Sequence, residues 1–249
     1  MLKEREKQKA DVVLRLKVLS LATLIALLLA PSRTSSSTDF DRNYPVEGGG
    51  HLAVSNVTGN IRVSSWNKSS ISVKAITRQP SLIAEDVAGS DITIRVKRQF
   101  RPTRVDFDVT VPTEASLSLS NFFGNIEVKS LTGHISISAI DGDVHLMGIS
   151  SSSLDVKVTS GDIYFDGELH EGGSYALQTM KGDVDVTLPK GASFNLNARA
   201  LSENINLGSF VTGLTGGNKS SKGISGTHLR GGPRLNLTTY AGRIIMHNK

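Results

Sequence analysis

From residue 52 onward one short pattern keeps returning: a glycine or small residue, a short polar residue, then apolar, any, apolar. It reads GNIRV at Gly59–Val63, SDITI at Ser90–Ile94, GNIEV at Gly124–Val128, GHISI at Gly133–Ile137 and GDVHL at Gly142–Leu146. It continues as GDIYF at Gly161–Phe165, GDVDV at Gly182–Val186, ENINL at Glu203–Leu207 and GRIIM at Gly242–Met246. Between these copies lie further alternating runs, such as Val105-Phe107-Val109-Val111 and Leu154-Val156-Val158. Alternation with period two predicts strands that each bury one face.

Spacing decides how the strands connect. Gly124, Gly133 and Gly142 are nine residues apart, whereas Gly142, Gly161, Gly182 and Glu203 step by 19, 21 and 21. Half-turns near nine and full turns near twenty suit a solenoid whose coils stack on one another. Antiparallel hairpins would favour Asn-Gly or Asp-Gly in two-residue loops, but here the order is usually reversed, glycine first. The pairs Gly59-Asn60, Gly124-Asn125, Gly142-Asp143, Gly161-Asp162 and Gly182-Asp183 are therefore expected at coil corners. Glycine would supply the positive φ, and the Asx side chain would hydrogen-bond local amides as the strand begins. The expectation is all-β: one parallel β-solenoid of about eight coils over residues 51–248, wound in one direction, roughly 40 Å long at ~4.8 Å per coil. Its interior should admit Ile, Val, Leu and Ala but few rings.

Two segments fall outside the repeat. Residues 1–32 carry a basic stretch ending at Arg15 and Lys17, then thirteen uncharged residues, Val18–Ala30. This is the layout of an export signal, either cleaved after Ser32 or kept as an anchor helix; both place the body outside the cytoplasm. Residues 33–50 read as a polar linker and entry segment. Gly213–Gly232 is a Gly/Ser/Lys stretch without strand alternation, expected as a poorly ordered insertion between the last coils.

Charge changes the picture little once the leader is set aside. The other 217 residues hold 22 Lys and Arg against 20 Asp and Glu, so no general nucleic-acid footprint follows. With no cysteine in the chain, disulfides, thiolate metal sites and a cysteine nucleophile are excluded. Asp39-x-Asp41-x-Asn43 resembles the start of a calcium loop, but Tyr44 and Gly50 occupy positions that need Gly and Glu. The row Asn60, Asn125, Asp143, Asp162 and Asp183 is open to two readings, a calcium row of the kind some repeat solenoids carry or turn capping; turn capping is the expectation, and no cofactor is expected. The six histidines are scattered along the chain and are expected on the surface. The densest charge is Arg95-x-Lys97-Arg98-x-x-Arg101-x-x-Arg104, five cations in ten residues around Phe100. It is a candidate for anionic polymer, and equally a solvated strand end.

Some residues carry a family resemblance. The opening Phe40-Asp41-x-x-Tyr44-Pro45-Val46 with Gly48-Gly49, the segment Val109-x-Val111-Pro112-x-x-Ala115-x-Leu117, its echo Leu188-Pro189-Lys190-Gly191-Ala192, and Gly231-Gly232-Pro233-x-Leu235-x-Leu237 recur in order. Together they resemble the putative-adhesin domain family of bacterial envelope proteins, over about residues 39–248. The resemblance implies an exported or membrane-attached β-solenoid without established enzymatic activity, associated with surface adhesion or envelope-stress sensing. Three functions follow as expectations. The first is a non-enzymatic envelope module binding a surface protein or anionic polymer in the periplasm, at the cell surface or at the outer face of the inner membrane. The second is a membrane-anchored sensor. The third is a polysaccharide-acting enzyme, with Asp143, Asp162 and Asp183 as the available carboxylates.

Overall fold

The alternation places two apolar files on the inner face of every coil, and the fold is what buries them. The computed structural model describes residues 40–202, 204–220 and 222–249, which form one compact unit. The leader, residues 1–32, and Asp39 lie outside the described residues.

Each coil gives one strand to a twelve-stranded sheet and the next to a ten-stranded sheet, and six of the eight turn between them at a glycine. In stacking order the pairs are Asp91–Val96 with Asp106–Pro112, His51–Thr58 with Ile61–Trp66, Ser116–Phe123 with Ile126–Lys129, and Ile135–Asp141 with Val144–Ile149. Then come Ser153–Ser160 with Ile163–Gly167, Ser174–Lys181 with Val184–Leu188, Arg234–Ala241 with Ile244–Asn248, and Phe194–Ala200 with Ile205–Asn206. All neighbours in this series pair in parallel. The expected number of coils is present, and the nine-residue half-turn is real: Gly133 stands at the edge opposite to the Gly124 and Gly142 corners.

The winding is not monotonic, which corrects the expectation of a ladder wound in one direction. The second coil in sequence, 91–112, stacks on the outer side of the first, so the third joins the first from the other side. At the far end the last strands in sequence, Arg234–Ala241 and Ile244–Asn248, insert between the two coils that precede them. A parallel strand has two usable edges, and the chain fills the one left open.

Antiparallel strands close both ends. Ser70–Ile76 pairs with Asp106–Pro112, Phe40–Pro45 lies beyond it, and Ile83–Ala88 covers Asp91–Val96. At the other end Gly223–His228 runs antiparallel to Phe194–Ala200, with Leu214–Thr215 and Lys219–Ser220 paired to it. The entry segment therefore contains a strand, and half of the 213–232 insertion is sheet. Its glycines hid the alternation, yet the backbone groups of an edge strand need partners whatever the side chains.

Inside, files of Ile, Val and Leu stack in register. One runs Ile92, Leu52, Leu117, Ile135, Leu154, Tyr175, Leu235, Leu196; its facing counterpart runs Phe107, Ile61, Ile126, Val144, Ile163, Val184, Ile244. Rings do enter, contrary to expectation: Phe107, Phe165, Tyr175, Phe194 and Phe210 are fully buried. His228 is buried among them, stacked on Phe194 at 5.0 Å with Nδ1 2.8 Å from the Ala192 carbonyl oxygen, so it is a core residue rather than a surface imidazole.

The corner glycines are held by two constraints at once. Gly161 has φ +141°, and a Cβ there would lie 2.2 Å from the carbonyl oxygen of Gly142 in the next coil. Gly161→Ala is therefore expected to lower unfolding stability by about 2 kcal/mol or more. Urea denaturation checks this, and an unchanged midpoint would refute the close-approach account.

Candidate functional site

At the corners the Asx residues do more than cap their own turn. Each side-chain oxygen accepts the backbone N–H of the equivalent residue one coil further on. Asn60 N–H donates to Asp106 Oδ1 at 2.8 Å, Asn125 to Asn60 at 3.0 Å, Asp143 to Asn125 at 3.0 Å and Asp162 to Asp143 at 2.9 Å. Asp183 N–H donates to Asp162 Oδ1 at 2.7 Å, and Arg243 N–H to Asp183 Oδ1 at 2.8 Å. The bonds expected within one turn thus run between coils. A second, buried ladder lies three residues before the glycines. Asn56 donates to the Val105 carbonyl, Asn121 to those of Gly59 and Gly124, Thr179 to Gly161 and Thr239 to Gly182, all at 2.8–2.9 Å. Nothing in the sequence pattern singled out these polar residues at core positions.

This arrangement decides what the three aspartates do. Asp183 also binds the Arg243 guanidinium through Oδ2, at 2.6 and 3.1 Å, and Asp162 Oδ2 accepts the Tyr164 hydroxyl at 3.0 Å. That carboxylate, with partial burial and the charges of Asp162, Asp143 and Asp185, pushes the Tyr164 phenol up to about 12. Among the described residues no group of three or more His, Asp or Glu is placed to hold a metal ion.

The five-cation segment is split by the fold. Arg95 sits in the strand Asp91–Val96, the other four cations lie in the crossover from it to the strand Asp106–Pro112, and all five are exposed. Arg104 is taken by Asp106 in a bidentate pair of 2.7 and 2.8 Å. The Arg98 guanidinium lies 4.4 Å from the centre of the Phe122 ring. Arg95 faces Ala84 across the antiparallel pair, with Asp86 on the diagonal. Lys97 and Arg101 have no carboxylate partner among the described residues, and Phe100 beside them is fully exposed. Thr103 ties the loop to Gln79 at 3.2 Å. The site that survives is narrower than the sequence suggests: Lys97, Arg98 and Arg101 around an exposed ring.

The outer face of the ten-stranded sheet offers a contrast. A shallow groove of about 290 Å³ is lined by Asn60, Arg62, Asn125, Glu127, His145 and Met147. Its charges cancel internally: Arg62 reaches Asp108 at 3.3 Å and Glu127 at 4.0 Å, and Glu127 pairs with Lys129. The His145 ring stacks on Tyr164 at 4.7 Å and 5° between planes. Such a face can meet neutral polar groups, but it lacks the uncompensated charge of the 97–101 loop.

Burial alone would raise the carboxyls of Asp183 and Asp106. The Arg243 guanidinium and N–H outweigh it at Asp183, and Arg104 with the Asn60 N–H outweighs it at Asp106, so both titrate below the usual carboxylate range. A depressed carboxyl contributes stability above its unfolded pKa of about 3.9 and loses it as pH falls towards the folded value. The melting temperature should therefore drop between pH 5 and pH 3, and Arg243→Gln should lower it at pH 5 and flatten that drop. An Arg243→Gln profile parallel to the parent's would show that the pair is not coupled to folding.

No curated protein matches the sequence. Among solved structures, one described as a putative cell adhesion protein from Clostridium sporogenes is 14% identical with a TM-score of 0.45, covering 85% of this chain and 100% of its own. A putative adhesin from Bacteroides fragilis is 12% identical with a TM-score of 0.29, covering 88% of this chain and 99% of its own. A putative lipid binding protein from Parabacteroides distasonis is 11% identical with a TM-score of 0.30, covering 85% and 95%. The Toastrack domain model, DUF4097, matches residues 42–245. That span takes in seven coils and most of the eighth, with nearly all of the motifs noted above, and the chain belongs to the Toastrack family.

Proposed function

We propose that the protein is an exported, non-enzymatic interaction module of the cell envelope that binds anionic envelope polymer through the loop of Lys97, Arg98 and Arg101. The observation that carries this reading is the uncompensated charge of that loop around the exposed Phe100, in contrast to the Arg62, Asp108, Glu127 and Lys129 cluster, which is internally paired. Phosphate or carboxylate groups repeated along a polymer would meet several cations at once, and the ring would cover the sugar between them. The export signal read at residues 1–32 puts such polymers within reach.

The enzymatic alternative is disfavoured by what the carboxylates already do. Glycoside hydrolysis needs one carboxylic acid and one carboxylate free to act on a bound sugar. Asp143, Asp162 and Asp183 each hold the backbone of the neighbouring coil, and two of them are bonded through the second oxygen as well.

The triple substitution Lys97→Gln, Arg98→Gln, Arg101→Gln is expected to weaken binding to purified lipopolysaccharide or teichoic acid about tenfold at low salt and to reduce its salt dependence. Arg104→Gln, which removes a cation already paired, should change binding much less. Equal binding by the triple variant would exclude the loop. Polymer turnover that disappears in Asp162→Asn would overthrow the non-enzymatic reading.

A further inference from the structure

Apart from Val57, which is partly buried against the core, the residue two before each corner glycine points outward from the twelve-stranded sheet. Its neighbours on either side are paired in register across the coils, so these residues stack in one file. In stacking order the file reads Val57, Phe122, Ile140, Thr159, Met180, Tyr240, and Leu201 continues it beside Tyr240 through its N–H to the Thr239 carbonyl. Four of these are large and open to solvent: Ile140 at 40%, Met180 at 51%, Tyr240 at 44% and Leu201 at 42% exposure. Six steps of ~4.8 Å make a ridge roughly 30 Å long that is apolar except for one central threonine. Contiguous exposed apolar surface of this kind marks an interaction site.

The order of the file is self-complementary. About Thr159 the positions pair as Ile140 with Met180, Phe122 with Tyr240, and Val57 with Leu201. The flanking charges follow the same symmetry: Asp141 next to Ile140 and Lys181 next to Met180 are both exposed, and neither has an ionic partner among the described residues. A two-fold axis in front of Thr159, parallel to the sheet and running along the strand direction, brings Asp141 of one copy opposite Lys181 of the other, twice. The adjoining outward file reads Arg95, Ser55, Ser120, Ser138, Lys157, Gln178, Thr238, Arg199; Lys157 is bound to Asp155 at 2.8 Å and the two arginines stand at its ends, so the ridges can approach over its centre.

From this juxtaposition we infer that the ridge is the interface of a symmetric homodimer, two copies packed antiparallel with Thr159 on the axis. A two-fold contact needs one patch that complements itself, and this patch does so in shape class and in charge. Arg98, which lies on the Phe122 ring at one end of the ridge, also belongs to the 97–101 loop, so the dimer is read in the absence of anionic polymer.

The natural absence of cysteine makes the test direct. In the full-length chain, Thr159→Cys should form an intermolecular disulfide on mild oxidation, because its two copies lie at the axis. Ser64→Cys, exposed on the opposite sheet, should remain monomeric on the same gel. In the Thr159→Cys background, Asp141→Lys should depress the dimer band and Lys181→Asp added to it should restore the band. Met180→Asp should reduce the band about tenfold, the ratio expected for losing one buried apolar side chain. No Thr159→Cys dimer, equal crosslinking at Ser64→Cys, or no restoration by the charge swap would each overturn the proposal. Binding to phosphatidylglycerol vesicles that Met180→Asp abolishes, without any Thr159→Cys dimer, would assign the ridge to a lipid surface instead.

Discussion

The contact on which the structure depends is the one between corner glycines of successive coils. From Val105 through Gly59, Gly124, Gly142, Gly161 and Gly182 to Gly242, a carbonyl oxygen sits where the next coil's Cβ would be, 2.0–2.2 Å away. Coils spaced by backbone hydrogen bonds leave no room for a side chain at a bend this tight. Once glycine is required, the polar atoms beside it need partners, because the turn removes the carbonyl from the regular ladder. Buried Asn56, Asn121, Thr179 and Thr239 meet that need from inside at four of the six glycine corners, Ala139 and Val158 standing at that position in the other two, and the Asx column meets it from outside. Repetition of the pattern is therefore the signature of one packing problem solved in each coil.

That solution is local to each pair of neighbouring coils, and this is why sequence order and stacking order part company. Any coil with the glycine corner and the right inward alternation fits any other, so nothing at the corner forbids the 91–112 coil from stacking outside the first. Nor does it forbid Arg234–Asn248 from entering between earlier coils. What fixes the order is the ends. The 70–76, 40–45 and 83–88 strands at one end and 223–228 at the other run antiparallel, stop the parallel stack and cover edges that would recruit further strands.

Much of this was legible in the sequence, for a physical reason. Period-two alternation, glycine before Asx and steps of nine and about twenty report strand, corner and coil directly, and they gave the class, the number of coils and the corner residues. Three things escaped. The coil order was hidden because equivalent coils carry interchangeable motifs. The strand at Gly223–His228 was hidden because edge pairing uses main-chain groups that glycine and serine supply as well as valine. The division of the cationic run was hidden because it depends on a partner out of alternation, the Phe122 ring under Arg98. Only the Arg104–Asp106 pair was close enough in sequence to have been suspected. The role of Asp162 was half visible, since the sequence pointed to a cap but could not say that the capped amide belongs to the next coil.

The regular corner also explains how such a chain acquires a distinctive surface. Glycine, Asx and the inward files are tied to the backbone, so the residue two before each glycine is among the few positions free to vary from coil to coil without disturbing the stack. Its content is Val, Phe, Ile, Thr, Met, Tyr and Leu, and its symmetry exists only in three dimensions. Read in chain order, Leu201 precedes Tyr240, which would set Phe122 against Leu201 and Val57 against Tyr240. Insertion of the last coil exchanges the two, placing ring opposite ring at equal distances from Thr159. The same departure from monotonic winding that closes the end of the stack thus determines the order of its one apolar edge.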